Sequence, residues 1–315
     1  MALVTNGLTT FASVGNREHL IDMIYNISPT ETPFLSAIEK ISTTSTKHEW
    51  QTDALAAASG TNKVLEGDEA TTDAAVATVR LYNYRQISDK VAAVTGTQEV
   101  INKAGRKSQM AYEMAKRSQE LKRDVETRLC GNYASAAGNA TTEPECAGIE
   151  AFIATNDDFG AGGASPVGAD GTAARTDGTQ RAFTETSLKN ALQLAWAAGG
   201  NPDMIMVGGW NKQVMSSFSG NAARTIDAGE QKLVASIKVY ASDFGDIKVV
   251  ACRFSRSRSA LILDSSLWKF AVLRDFTVSD LAKSGDYTRK QLLVEYTLQA
   301  SNEKGNAGVF DLTTS

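Results

Sequence analysis

The spacing of apolar residues changes period several times along the chain, and each change predicts an element. Leu20, Ile21 and Ile24 share one face of a helix that Asn16 caps, that runs to Tyr25 and that Pro29 ends. The residues before Asn16 are polar and without period, and read as an extended arm. Thr32-Pro33 then sets a second helix start, with Phe34, Leu35 and Ile38 as its apolar side. From there the period drops to two. Residues 43–51 read as a strand carrying Trp50, and residues 76–94 as its return. Val76, Thr78, Arg80, Tyr82 and Tyr84 fall on one face of that return, and Val79 and Leu81 on the other. The intervening residues 53–73 are rich in Ala, Gly, Thr and Asp. A lone two-stranded hairpin is marginal in water, so this one needs another surface, and a neighbouring subunit is the expected one.

Helical spacing then returns. Thr95-Gly96-Thr97-Gln98 fits a capping box and Gly105 a break. Met110, Met114, Leu121, Val125 and Leu129 recur along a helix over residues 108–129, about six turns. Its other faces carry Glu113, Lys116, Arg117, Glu120, Lys122, Arg123, Asp124, Glu126 and Arg128, which predicts a helix laid across a surface rather than sunk in a core, with a plainly solvated face as the equal alternative. Residues 131–180 shift to Gly, Ala, Thr, Asn and Asp; only 149–153 looks structured, and 157–178 nearly lacks large apolar residues. A loop of this length is functional, ordered by partners or disordered, and packing between subunits is one way to order it.

The second half alternates elements. A helix over 186–198 has Leu188, Leu192, Ala195 and Trp196 inward and stops at Gly199-Gly200. A buried strand over 203–207 precedes a helix over 210–218 with Trp210, Val214, Met215 and Phe218 on one stripe. Strands follow at 237–240, 247–252, 260–263, 268–273, 289–299 and 308–312, with a turn at 303–306. Helices and strands mix without a regular βαβ rhythm, so the fold class is α+β.

Composition narrows the function classes. Hydrophobic residues make up 42% of the 315 and charged ones 22%, enough for a real core. The longest apolar run, 191–198, is far short of the roughly 20 residues of a membrane helix. The start has no secretory pattern, so assembly in a cytoplasm is expected and Asn26-Ile27-Ser28 and Asn139-Ala140-Thr141 are chance glycosylation matches. A net charge of −4 argues against tight wrapping of nucleic acid. The patch of Arg253, Arg256 and Arg258 suits an exposed strand end, with DNA contact or an inter-subunit ion pair as alternatives.

Candidate chemistry is sparse. Cys130, Cys146 and Cys252 lie far apart, match no disulfide or zinc pattern and read as buried small hydrophobes. His19 and His48 are too few for a metal or acid–base cluster. Gly160-Ala161-Gly162-Gly163 lacks the spacing of a dinucleotide fingerprint and reads as a flexible loop. Gly208-Gly209 stands between strand and helix, but no Lys-Ser/Thr pair follows, so a tight turn is expected. Asp157-Asp158, Asp170, Asp177 and Asp227 do not match a calcium loop. No catalytic, cofactor-binding or metal-binding residue is assigned.

The stretch Asn16-Arg17-Glu18-His19-Leu20, then Ile27-Ser28-Pro29-Thr30-Glu31-Thr32-Pro33-Phe34-Leu35, then His48-Glu49-Trp50-Gln51-Thr52-Asp53 resembles the opening of a family of tailed-phage major capsid proteins with the Hong Kong 97-type fold. Gly199-Gly200-Asn201-Pro202-Asp203 with Trp210-Asn211-Lys212 is similar to the family's middle. Leu292, Val294 and Tyr296 followed by Gly308-Val309-Phe310 are similar to its end. The resemblance implies an N-arm at 1–28, the start of a P-domain at 29–41 and an E-loop at 42–94. It implies more P-domain with a spine helix at 95–130, an A-domain at 131–266, P-domain strands at 267–303 and a last A-domain strand at 304–315. It also implies a structural, non-enzymatic virion subunit that associates with itself as hexamers and pentamers of an icosahedral head enclosing double-stranded DNA. A portal is a further implied partner, as are a separate scaffold or decoration proteins; DNA is contacted weakly and no membrane is involved. Only 16 residues precede the first helix, so no cleaved scaffolding segment is expected, and Lys63 near the E-loop tip has no evident cross-linking partner. The competing readings are an encapsulin-type nanocompartment shell, an enzyme with its site in residues 131–182, and a minor virion protein.

Overall fold

The structure, a computed structural model, describes residues 31–70, 72–102, 105–218 and 238–314. The first half contains α1 (Pro33–Ala37), β1 (Glu39–Ser42), β2 (Lys47–Thr52), β3 (Val79–Tyr84), β4 (Gln86–Thr95), α2 (Gly96–Val100) and α3 (Gln109–Leu129). The second contains β5 (Asp157–Asp158), α4 (Glu185–Ala197), β6 (Met204–Val207), α5 (Gly209–Ser216), β7 (Val239–Ser242), β8 (Gly245–Ala251), β9 (Ala260–Leu263), β10 (Trp268–Asp280), β11 (Tyr287–Ala300) and β12 (Ala307–Val309). The mixture of helix and sheet is the expected α+β class.

Two sheets share one core. The four-stranded sheet runs β1-β10-β11-β4, and its long β10–β11 pair is antiparallel. Strict alternation in β11 puts Leu292, Val294, Tyr296, Leu298 and Ala300 on one buried face, where they meet Phe270 and Val272 of β10 and Leu121, Val125 and Leu129 of α3. The six-stranded sheet runs β5-β12-β9-β6-β8-β7. Its β6 is an unbroken apolar run because both of its faces are covered. Met204 and Met206 face the core shared with β10 and β11, while Ile205 and Val207 face Leu188, Ala191, Leu192 and Ala195 of α4 and Met215 of α5. The turn from β9 to β10 is fixed by buried Asn306, whose Oδ1 accepts from Trp268 Nε1 at 2.8 Å and Asp264 N at 2.9 Å.

Sequence logic holds well for α4. Thr184 and Ser187 cap each other's backbone, and the helix ends at Gly199 with φ +87°, as Gly199 N donates to Trp196 O and Gly200 N to Ala195 O. Gly200 cannot carry a side chain, because a Cβ there would collide with the backbone of Gly305.

Elsewhere tertiary contacts overrode the local pattern. The expected single return strand breaks at Arg85: β3 pairs with β2, whereas β4 pairs with β11. Arg85 leaves the ladder to pair with Glu295, which is buried and also holds Arg274 at 2.5 Å. The capping box at Thr95 does not form; Gly96 N donates instead to Asp286 O at 3.2 Å, and the helix lasts five residues. Strand β1, exposed for most of its length, had no sequence signal and exists through parallel pairing with β10. The strand expected at 268–273 continues to Asp280, while the last one is only three residues long. The C-terminal half of α3 is sunk in the core rather than laid on a surface, and it takes Glu126 in with it. Trp196, expected inward, is 58% exposed and stacks on Phe244 at 5.2 Å; Trp210 is 44% exposed. The strand expected at 237–240 lies at Val239–Ser242. The helix expected after Asn16 lies outside the described residues.

Candidate assembly surface and its internal anchors

The β2–β3 hairpin is anchored at its base and bare beyond it. Register runs from Lys47 opposite Tyr84 to Thr52 opposite Val79. At the base, buried Trp50 packs on Phe152 with ring centroids 6.2 Å apart, and His48 Nε2 bonds Gln299 Oε1 at 2.8 Å. Asn83, fully buried, donates to Leu298 O at 2.8 Å and accepts from Ala147 N at 3.0 Å. Lys47 lies over the Tyr82 ring at 3.9 Å and pairs with Glu49 at 2.8 Å, which keeps the Glu49 carboxyl below its usual range. Past Thr52 these partners stop. Every described residue from 53 to 78 is exposed, including Leu55 at 99%, Val64, Leu65 and Val76. The same segment carries Lys63 against Asp53, Glu66, Asp68, Glu69 and Asp73, one positive charge against five negative.

Residues 131–182 are the opposite case, tied down from within the chain. Arg175 is the main anchor. Its guanidinium pairs with Asp157 at 2.6 Å, lies 3.2 Å over the Phe310 ring and donates to Ile153 O at 3.3 Å. Burial pushes its pKa down, but the Asp157 carboxylate opposes that shift. Its backbone exchanges two 2.9 Å hydrogen bonds with the Asn132 side chain. Arg128 reaches Cys146 O at 2.7 Å and Glu145 at 2.9 Å and covers the Tyr133 ring at 4.4 Å. Asp311 holds the far side from a left-handed backbone, φ +60°, accepting from Gly160 N at 3.1 Å and Arg258 at 2.6 Å. The order of this segment therefore needs no neighbouring subunit.

The sequence-singled residues distribute as follows. Arg256 pairs with buried Glu150 at 2.7 Å and with Asp177, and Arg258 with Asp177 and Asp311, so the expected patch is spent on internal ion pairs; only Arg253 is exposed. The glycine cluster is a packed turn rather than a flexible loop: Gly163 N donates to Gly160 O at 3.0 Å, and a Cβ on Gly160 would collide with Thr179 O. Gly208 is a turn against Ser257. Asp157, Asp158 and Asp177 each face an arginine, and Asp170 caps Thr172, so they do not converge on one point. Asp227 and His19 lie outside the described residues. All three cysteines are buried and free, and Cys130 and Cys252, 122 positions apart, come together beside Glu126. Both Glu126 oxygens accept backbone bonds from α1, Phe34 N at 2.8 Å and Leu35 N at 2.9 Å. Burial raises the Glu126 pKa, and those bonds oppose the rise. Nothing local marks Arg175 or Asp311 as anchors. Glu126 had a faint signal, since it stands one turn before Cys130 and next to Val125 on the apolar stripe.

Comparison with known proteins fits this arrangement. The family model for the SU10 major capsid protein matches residues 4–313. The major capsid protein of Escherichia phage Phieco32 is 25% identical over 332 aligned positions, covering 94% of each chain. Among solved structures, the Cyanophage A-1(L) capsid asymmetric unit superposes with a TM-score of 0.69 at 14% identity, covering 98% of this chain and 99% of that one. A Gordonia phage Cozz structure gives 0.64 at 10% identity, covering 99% and 98%. These likenesses carry the fold, which is the Hong Kong 97 type, and the family match spans nearly every residue. The chain belongs to the SU10 major capsid protein family.

Proposed function

We propose that this chain is the repeating shell subunit of a tailed double-stranded DNA phage head, closing as hexamers and pentamers into an icosahedral container. The observation that carries the reading is the bare hairpin: residues 53–78 keep four large apolar side chains exposed, with no surface among the described residues to cover them. An extended segment that orders on contact buries area in the assembly while the free subunit stays soluble. A ring that closes head to tail joins one surface to a different surface of the next copy. Charge complementarity indicates the second surface. Residues 103–128 hold eight basic and four acidic side chains, with Lys107, Lys116 and Lys122 exposed, opposite in sign to the hairpin tip.

In this reading residues 42–94 are the E-loop and 1–28 the N-arm. Residues 29–41, 95–130 and 267–303 form the P-domain around α3, and 131–266 with 304–315 the A-domain. A portal, and scaffold or decoration proteins, are the further partners of such a shell. The mild acidity of the chain suits a container that releases its DNA. Deleting residues 54–72 tests the assignment. The truncated subunit is expected to keep the melting temperature of the intact one and to form no closed particles by electron microscopy. Intact particles from the deletion would refute it.

A further inference from the structure

Three side chains that the shell reading does not use meet where α3 ends. Glu126 lies in the last turn of α3 and Cys130 caps its end, and Cys252 follows β8; the carboxylate oxygen and the two sulfurs lie within 4.8 Å of one another, all buried. Cys252 is the centre of the group. Its thiol lies 3.8 Å from Glu126 Oε1, toward which it donates, and the Cys130 sulfur lies within 4.8 Å of both atoms. We propose that Cys252 and Cys130 form an internal dithiol couple that closes to a disulfide on meeting a peroxide, stapling the end of α3 to the end of β8.

The two thiols are unequal in the way attacking and resolving thiols are. Hydrogen bonding from Cys130 pulls the Cys252 thiol down against the effect of burial, and the Phe254 and Ser255 amides add to it. Burial drives the Cys130 thiol well up, so it keeps its proton until it resolves. Burial also raises the Glu126 carboxyl, bringing it closer to Cys252 and making it a better acceptor for the Cys252 proton. The Cys252 thiolate attacks one peroxide oxygen, the O–O bond breaks, and a sulfenic acid and hydroxide form; the hydroxide leaves as water with the proton Cys252 gave up. Cys130 sulfur then attacks Cys252 sulfur, the S–O bond breaks, and the second hydroxide leaves as water with the Cys130 proton. Two thiols and one hydrogen peroxide thus give one disulfide and two waters.

A metal ion suits the group less well. Both Glu126 oxygens are already committed to Phe34 N and Leu35 N, and two sulfurs with one committed carboxylate fall short of the four ligands of a closed zinc site. Access is limited to small reactants, through local opening of α1, a five-residue helix whose first turn is held by that one carboxylate. Since α3 packs on the four-stranded sheet and β8 belongs to the six-stranded one, the bond would join the two halves of the fold. Its use as a lock formed after a particle leaves a reducing cytoplasm rests on the shell reading; the bond itself does not.

The test uses the full chain, reduced and then treated with hydrogen peroxide under native conditions, denatured, alkylated and mapped by mass spectrometry. The expected result is loss of two hydrogens, two of the three thiols protected, a reducible peptide pair joining Cys130 to Cys252, and Cys146 alkylated. In Cys130→Ser the expected product is a Cys252 sulfenic acid trapped by dimedone. If that variant fails to fold, the wild-type map decides alone. Three alkylatable thiols after treatment, or a bond through Cys146 or between chains, would overturn the proposal. So would one zinc ion retained per chain through gel filtration and lost in Cys252→Ser. None of these outcomes depends on particle formation, so they stand apart from failure of the shell reading.

Discussion

Residues 53–78 and residues 131–182 draw on the same small and polar residues, yet one is bare and the other is built into the body. The difference lies in a few long side chains that reach across sequence. Within 131–182, Arg175 finds Asp157, Ile153 O and the Phe310 ring, and Asn132 answers its backbone. Arg128 enters from α3 to hold Cys146 O and Glu145, and Arg258 and Asp311 close the far side. Residues 53–78 contain no arginine, and apart from Thr78 Oγ1 to Gln51 Oε1 beside the base of the hairpin their hydrogen bonds are short-range, such as Thr61 N to Ser59 Oγ and Asp68 N to Leu65 O. A loop poor in apolar residues is therefore ordered when buried charge pairs and backbone-capping amides substitute for a hydrophobic core. It awaits a partner when they do not.

The strongest way to break this comparison is to remove the anchor. Arg175→Ala leaves Asp157 buried without its cation and uncovers Phe310, and should cost about 3–5 kcal/mol by denaturant unfolding. Asp157→Ala in the same background should restore part of that, because the stranded charge goes too. Additive losses in the double variant would mean that the pair does not act as a unit.

Asp311 comes next. Alanine there loses the charge-assisted bond to Arg258 and the bond from Gly160 N, and must still adopt φ +60°, which a short polar side chain tolerates better. The expected cost is about 2–3 kcal/mol. Limited proteolysis should show new cleavage within 157–180 before global unfolding. Unchanged protection there would place the anchoring elsewhere.

These anchors also mark the limit of what the sequence could show. Alternation in β11, the continuous run in β6 and the paired caps of α4 are local, and they were legible because period and capping need only neighbours. The hairpin was legible for the same reason. The break at Arg85 was not, since it depends on Glu295, 210 positions away, and neither was β1, which exists only against β10. Arg175, Asp311 and the Cys130–Cys252 approach each rest on partners brought near by the completed fold, so no spacing rule could reveal them. The exposed tip was legible through its composition, but only the fold showed how sharply exposure begins past Thr52.

Glu126 gives a smaller effect, read through pH. Its folded-state pKa is raised by burial, so between the ordinary carboxyl value and the raised one the folded form binds more protons than the unfolded form. Stability from this group is therefore present below the ordinary value and is lost as pH rises through the raised one. Glu126→Gln should be less stable at all pH values, because its amide cannot accept from both Phe34 N and Leu35 N. The difference between wild type and variant should narrow with rising pH, by at most about 1.4 kcal/mol per unit. Glu150, also raised by burial, shifts both proteins alike and drops out of the difference. A difference that widens with pH would contradict the assigned direction.

The smallest stability effect should come from the tip, and that is its value. Leu55, Val64 and Leu65 touch little of their own chain, so serine at all three should move unfolding by no more than about 0.5 kcal/mol. The same changes remove the apolar area that the adjoining copy is expected to cover, so particle yield should fall while the melting temperature of the free subunit stays put. Replacing Glu66, Asp68 and Glu69 by lysines separates charge from area. If the acidic tip meets the basic stretch of a neighbour's α3, assembly should weaken most at low salt, where screening is least. A triple serine variant that melts several degrees lower would show that these side chains already pack within the free subunit, and the contrast between the two segments would then be one of degree.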